Sequence, residues 1–261
     1  MATPIFSTAL EKTLITEEKM ANKIILVFML AVFSLSVGCV SKQYRVNPEF
    51  RVLSKEIRNP ILAHPKVEVY ELSAGGMRVL KEEWCTIGRV NVTGAVLQNL
   101  QGIKYQVMDK ELSPEMEEKI EDLLSLYAAV SLSIQVHAMN GRSPQAFPTK
   151  IQNFDYSIGP IDDILKELEA DGMILVYGSD EISTGGRQAL IAAGIIAGAA
   201  TGTYGAPRSG ITRVNASVID PDGKIIWYSS KVSAGQHDLR NRESVDSLIQ
   251  QLFADFPLLG S

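Results

Sequence analysis

Cysteine is scarce in this chain of 261 residues: only Cys39 and Cys85 are present. Two cysteines exclude a disulfide framework of the kind that staples small secreted domains. Histidine is equally thin. His64, His137 and His237 are scattered, without the spacing that metal ligation needs. The sequence carries no CxxC, HExxH, GxSxG or phosphate-binding P-loop pattern. Clustered basic residues are missing too, and the formal net charge is −5. A mildly acidic chain without a Lys/Arg patch is a poor nucleic-acid binder, since neutralising phosphates needs clustered Lys and Arg, and no nucleic-acid partner is expected. Neither metal nor organic cofactor is expected. The sequence reads as non-enzymatic.

One apolar run is present, and it is short. Ile24 to Gly38 is about fifteen residues, preceded by Lys23 and followed by Cys39. A spanning helix needs roughly twenty apolar residues, whereas a signal-peptide core needs about seven to fifteen. No basic stop-transfer cluster follows; Lys42 and Arg45 are sparse. Leu35-Ser36-Val37-Gly38-Cys39 resembles the lipobox of bacterial lipoproteins, with Ser36 where that pattern usually has Leu and Leu35 one place early. The resemblance implies cleavage before Cys39 and lipidation of that residue. Val40 is not Asp, which by the enteric sorting rule implies the outer membrane, facing the periplasm. Residues 1–38 are then a signal peptide. Glu11, Glu17 and Glu18 suit such a leader badly and Met20-Ala21-Asn22-Lys23 suits it well, so Met20 is the expected start and residues 1–19 a gene-start artefact. Lipidated Cys39 leaves Cys85, beside Trp84, as a small buried hydrophobe.

Residues 39–65, with Pro48, Pro60 and Pro65, read as a lipidated tether and irregular lead-in, and 66–261 as a single domain. Val67–Leu72 alternates and ends at Gly75-Gly76, a strand and turn. Residues 86–101 read as a helix with Val90, Ala95, Val96 and Leu100 to one side. Tyr105–Met108 is a short strand. Ser113-Pro114-Glu115 is a helix start: a capping Ser, a Pro with preset φ, an acidic first turn. Met116, Ile120, Leu123, Leu124 and Tyr127 follow at helical spacing. Beyond them Val130, Leu132, Ile134 and Val136 alternate as in a strand, yet no turn signal intervenes, so the helix is expected to continue. Residues 140–160 read as loop and 161–170 as a short helix. Met173–Tyr177 is continuously apolar, the pattern of a central strand covered on both faces. Val214–Val218 and Ile225–Tyr228 flank Asp220-Pro221-Asp222-Gly223, a hairpin. Val245, Leu248, Ile249, Leu252, Phe253 and Phe256 form the apolar face of a last helix. Interleaved helices and strands predict an α/β fold, a mixed sheet with packed helices.

Two segments are candidate sites. Asp180 and Glu181 follow the predicted central strand, where open α/β sheets bind ligands. They are either solvated loop carboxylates or the working groups of a periplasmic enzyme. Gly185-Gly186-Arg187 precedes a Gly/Ala-rich run in which Gly194, Gly198 and Gly202 recur every four residues and share one helical face. Such a face admits another backbone. Internal close packing is the first expectation, and a self-association or membrane-contacting surface the second. Gly185-Gly186 beside Arg187 is also a candidate anion-binding turn.

From Phe147-Pro148-Thr149-Lys150 onward the chain resembles a group of uncharacterised proteobacterial lipoproteins, through Phe154–Gly159, Ile174–Tyr177, Gly185-Gly186-Arg187 and Ile226-Trp227-Tyr228. The broader layout is similar to the α/β domain of the TolB amino-terminal part and of the curli-secretion lipoprotein CsgG. The chain has no pair of long alternating amphipathic segments to match the barrel-forming hairpins of CsgG. The resemblance implies a lipid-anchored envelope protein with no established activity. It either binds envelope partners or forms a homo-oligomeric envelope or secretion complex through residues 185–205.

Overall fold

The computed structural model describes residues 44–101, 105–107, 112–139, 141, 143–203 and 205–256. The expected signal peptide, Cys39, Val40 and Met108 lie outside them. Among the described residues are eight strands and seven helices. In chain order they are β1 (Tyr44–Val46), α1 (Phe50–Glu56), β2 (Ile61–Leu62), β3 (Lys66–Leu72), β4 (Arg78–Leu80), α2 (Glu82–Asn99), β5 (Gln106–Val107) and α3 (Pro114–His137). Then follow α4 (Pro148–Gln152), α5 (Asp162–Glu167), β6 (Met173–Ser183), α6 (Gly185–Thr201), β7 (Ile211–Ile219), β8 (Ile225–Ala234) and α7 (Arg242–Phe253).

The strands form one mixed sheet, and β6 is its axis. One edge of β6 pairs antiparallel with β7, from Met173↔Ile219 to Ser179↔Arg213. The other edge is shared by β2 and β3, both parallel to it. These two strands lie end to end along β6, separated at Pro65, which has no N–H to give to a ladder. β7 continues into β8 through the predicted turn. There Gly223 N–H donates to the Asp220 carbonyl (2.9 Å) and Lys224 N–H to the Asp220 side chain (2.8 Å).

Helices cover both faces, so side chains alternate between two cores along β6. Ile174 and Val176 pack with α2 and α7 residues, including Val92, Val96, Leu248 and Leu252. Met173 and Leu175 pack with Ile120, Leu124 and Tyr127 of α3 and with Leu165 of α5. The final helix buries Val245, Leu248, Ile249, Leu252 and Phe253, as its apolar spacing predicts. The sheet is mixed and the class α/β, as expected.

The ambiguous segment after Tyr127 is helix. Tyr127, Ser131, Ile134 and Ala138 are buried at helical intervals, while Leu132 is exposed. Ser113 Oγ accepts from Met116 N–H and caps the first turn (3.2 Å).

Four expectations need correction. The tether read over 39–65 is already domain from Tyr44 onward: β1 pairs with β8, β2 lies in the sheet, and Ile57, Ile61, Leu62 and Ala63 are buried. Strands of two and three residues are too short to show a period, which is why they read as irregular. In α2, Val90 is exposed, and Cys85, Val92, Ala95 and Val96 form the buried stripe. Residues 140–160 contain the short helix α4, begun by Pro148. Strand β6 runs six residues past Tyr177, to Ser183. Gly178 and the polar residues after it ended the apolar signal but not the ladder.

Candidate functional site at the open end of the sheet

The upper end of the sheet, where β3 and β6 finish and β7 begins, is built differently from the rest. Helix α3 covers the lower part of one face. Above it Tyr177, Ser179 and Glu181 of β6, Glu68 and Tyr70 of β3, and Arg213 and Asn215 of β7 line an open cleft of about 420 Å³. Leu132 and Gln135 of α3 form one wall, and Arg78 and Arg208 stand at the rim.

Glu181 is the buried charge of this cleft, with a side chain 3% exposed. Arg78 Nε lies 3.2 Å from Oε1 and Arg208 Nη1 lies 3.3 Å from Oε2. The Arg208 contact has ion-pair distance without hydrogen-bond alignment, so Oε2 accepts no hydrogen bond among the described residues. The Arg78 guanidinium also lies 4.1 Å above the Tyr70 ring, a cation–π contact. Tyr70 and Tyr177 both donate their hydroxyls to Glu68 Oε2, at 2.9 Å each. Burial, and then that hydrogen bond, push the Tyr70 phenol up to about 12. Burial raises Tyr177 as well. No carboxylate pairs with Arg213 among the described residues.

Asp180 points to the opposite face, because neighbours on a strand alternate. It is buried under the 235–241 loop. Leu239 N–H donates to Oδ2 (2.9 Å), and Thr212 Oγ1 lies 2.8 Å from Oδ1. Burial raises its carboxyl to about 6, partly offset by these hydrogen bonds. The expectation of solvated loop carboxylates is therefore overturned: both residues are buried within a strand. They do not meet in one site, so an acid–base pair made of Asp180 and Glu181 has no geometric basis.

The glycine-rich segment is α6, capped by Thr184, whose Oγ1 accepts from Arg187 N–H (3.3 Å). Gly185 and Gly186 form its first turn. Arg187 is buried and its guanidinium is committed to main-chain carbonyls. Nε and Nη2 donate to Arg208 O (3.2 and 2.9 Å), and Nη1 donates to Ser73 O (3.2 Å). That arrangement ties the base of α6 to the β3–β4 turn and to the returning chain.

The four-residue glycine spacing splits in its meaning. A Cβ on Gly194 would sit 2.7 Å from Ala206, so the returning chain packs against this turn of the helix. Gly198 is half-buried one turn later. A Cβ on Gly202 would meet nothing within 4 Å; the residue ends the helix in the left-handed conformation (φ 71°), with its N–H bonded to Gly198 O. Close packing, the first expectation for α6, is present at Gly194, where the returning backbone approaches, while most of the helix is open. Arg187 is its only buried residue, and Leu190, Ile195 and Ile196 are exposed, Ile196 by 71%. Apolar composition predicted burial, but alanine and glycine give a helix little side chain to bury. From Gln188 to Pro207 there is no charged residue. No helix among the described residues is long and apolar enough to cross a membrane.

The cleft was not visible in the sequence, since it joins residues from 68 to 215. One trace existed: Glu68 and Tyr70, and Tyr177, Ser179 and Glu181, are polar or aromatic at a spacing of two. No protein-family model matches the chain. No curated protein matches it. Among solved structures it is similar to the LpoB C-terminal domain from Salmonella enterica, at 10% identity over 68% of this chain and 84% of that one. The TM-score is 0.22, too low to carry an argument about either fold or function.

Proposed function

We propose that this protein is a lipid-anchored component of the bacterial envelope, held through Cys39 in the outer membrane and facing the periplasm, and that it works by binding other envelope components and not by catalysis. The observation that carries the binding role is the exposure of α6. Contiguous exposed apolar surface marks interaction sites on soluble domains. Leu190, Ile195 and Ile196 are exposed apolar side chains around a helix whose base is fixed by Arg187. The partner this suits has a complementary apolar groove or helix face, with alanines allowing close approach. The lipobox-like Leu35–Cys39 supports the anchor. Several acyl chains, each CH₂ worth about 0.8 kcal/mol when buried, give lasting attachment.

Self-assembly through residues 185–205 is the second reading, supported by the same exposed apolar side chains. The Gly194 side of the helix is already occupied by Ala206, so the outward side would form the contact. A periplasmic enzyme with Asp180 and Glu181 as a cooperating pair is not supported, because the two carboxylates lie on opposite faces of β6.

Ile196→Asp in the full-length protein tests the binding role. Ile196 is exposed, so thermal stability should change by less than about 0.5 kcal/mol. The native complex extracted in mild detergent should fall at least tenfold. A complex of unchanged mass and yield would contradict the role given to α6. A native mass that is a multiple of the processed chain would select self-assembly.

A further inference from the structure

We infer that the upper end of the sheet rests on a phospholipid surface, with α6 entering it. The inference rests on the anchoring proposed above and adds where the α6 contact is made: a partner taken by α6 is then one embedded in the same bilayer. The path of the chain toward Cys39 is the first observation. β1 is antiparallel to β8, with Tyr44 opposite Ser229 and Val46 opposite Trp227. The chain therefore enters β1 from the side of Ala234, which pairs with Ile211 at the upper end. Only residues 40–43 separate Tyr44 from Cys39. Those five steps of chain reach at most about 18 Å. The stretch of β8 from Ser229 to Ala234 covers about 17 Å. A lipid on Cys39 thus keeps the domain within that reach of the bilayer, on a chain that meets β1 from the upper end.

The surface at that end suits a lipid. α6 begins where β6 ends, and the chain returns to β7 at Ile211. From Gln188 to Pro207 no side chain carries a charge. Leu190, Ile195 and Ile196 are all exposed, and at 3.6 residues per turn they lie on three different sides of the helix. A protein groove covers one side, and an apolar medium covers the sides left over. The 17 residues of α6 measure about 25 Å. A bilayer core is about 30 Å thick, so α6 enters one leaflet and does not cross. Charge at the base of the helix fits the lipid head groups. Arg78 and Arg208 have exposed side chains, whereas Glu181 between them is buried, so this end presents guanidinium groups outward. Arg213 lines the same open cleft. The planar fork of a guanidinium matches phosphate, the group that every phospholipid carries at its surface.

Fluorescence quenching tests this on the protein purified from its native membrane and reconstituted into vesicles of phosphatidylethanolamine and phosphatidylglycerol that hold no other protein. Cys85 is buried and lipid occupies the Cys39 thiol, so Ile196→Cys supplies the reactive site for a polarity-sensitive dye. Val52→Cys on α1 is the control. Val52 is exposed, and α1 follows Asn47, whose N–H donates to Ile226 O at the other end of β8. Lipids spin-labelled on their acyl chains should quench the dye on residue 196 at least twofold and leave the dye on residue 52 unquenched. Should Ile196→Cys fail to fold, Leu190→Cys, on another side of the helix, carries the same expectation. Equal quenching at both positions, or none on α6, overturns the inference. A dye on residue 196 that is shielded in native membranes but not in these vesicles overturns it as well, and assigns α6 to a protein alone. The terminal mass of the same preparation reports on Cys39, so failure of the anchor and failure of the lipid contact are read separately.

Discussion

Gly210→Ala should destabilise the domain by about 3 kcal/mol or more. Gly210 lies just before β7 and passes over the main chain of Glu181. A Cβ there would sit 1.6 Å from Glu181 O, far inside contact distance. Neither backbone can yield cheaply. Glu181 is paired to β3 through Tyr70↔Glu181, and β7 is locked to β6 from Arg213 onward. Overpacking a tight site costs typically 1–3 kcal/mol and sometimes more, and here the clash is backbone against backbone. Displacing this strand end also moves Arg208 away from Glu181. Gly185→Ala is the matched control, because nothing lies within 4 Å of a Cβ there. It should be neutral or stabilising by up to about 1 kcal/mol, through lower unfolded-state entropy and better helix propensity. Urea unfolding of both variants checks the pair. A Gly210→Ala protein within 0.5 kcal/mol of the parent, an order-of-magnitude tolerance for surface changes, would show that the strand end is not built as described.

Asp180→Asn should make the protein more stable at pH 7.5 and leave it unchanged at pH 4. The carboxyl of Asp180 is raised from 3.8 to about 6 in the folded state, by burial first, with Asp238 nearby adding to the rise. A raised acid binds its proton more tightly when folded than when unfolded. Its contribution to stability is therefore fully present below about pH 4 and is lost as pH rises through 6. Two pKa units correspond to roughly 3 kcal/mol. Asparagine is neutral at every pH and fits the same partners. Its carbonyl can accept from Leu239 N–H while its amide donates to Thr212 Oγ1. The Thr212 hydroxyl then donates to His237 O, which lies 3.0 Å away. The variant should gain about 1–3 kcal/mol at pH 7.5, with the gain vanishing across the window from 6 to 4. Denaturation at the two pH values measures it. A variant less stable than the parent at pH 7.5 would mean that the ionised carboxylate is held favourably, as by Arg240 near the same loop.

The elements legible in the sequence were those with a long period or strong punctuation. Ser113-Pro114 started α3, the Asp220–Gly223 turn fixed the β7–β8 hairpin, and the apolar face of α7 announced its packing. What was lost is short or mixed. β1, β2 and β4 are two or three residues long, so no periodicity can form. The outer half of β6 is polar because it lines a cleft on one face and holds Asp180 on the other, which looks like a loop when read linearly. Helix α6 misled in the opposite direction. Its apolar composition resembles a core element, whereas only tertiary structure shows that Arg187 anchors its base, one turn meets Ala206 and its large apolar side chains are exposed. The cleft itself depends on β3, β6 and β7 lying side by side, and no local signal encodes that adjacency.

Lipid attachment at Cys39, with the α/β domain presented to envelope partners, is the central proposal. Mass spectrometry of the amino-terminal peptide from the native membrane tests this most directly. The account predicts a chain beginning at Cys39, with the mass of a diacylglyceryl thioether and an amide-linked acyl chain. A mature protein that still carries the intact Lys23–Cys39 segment would contradict it.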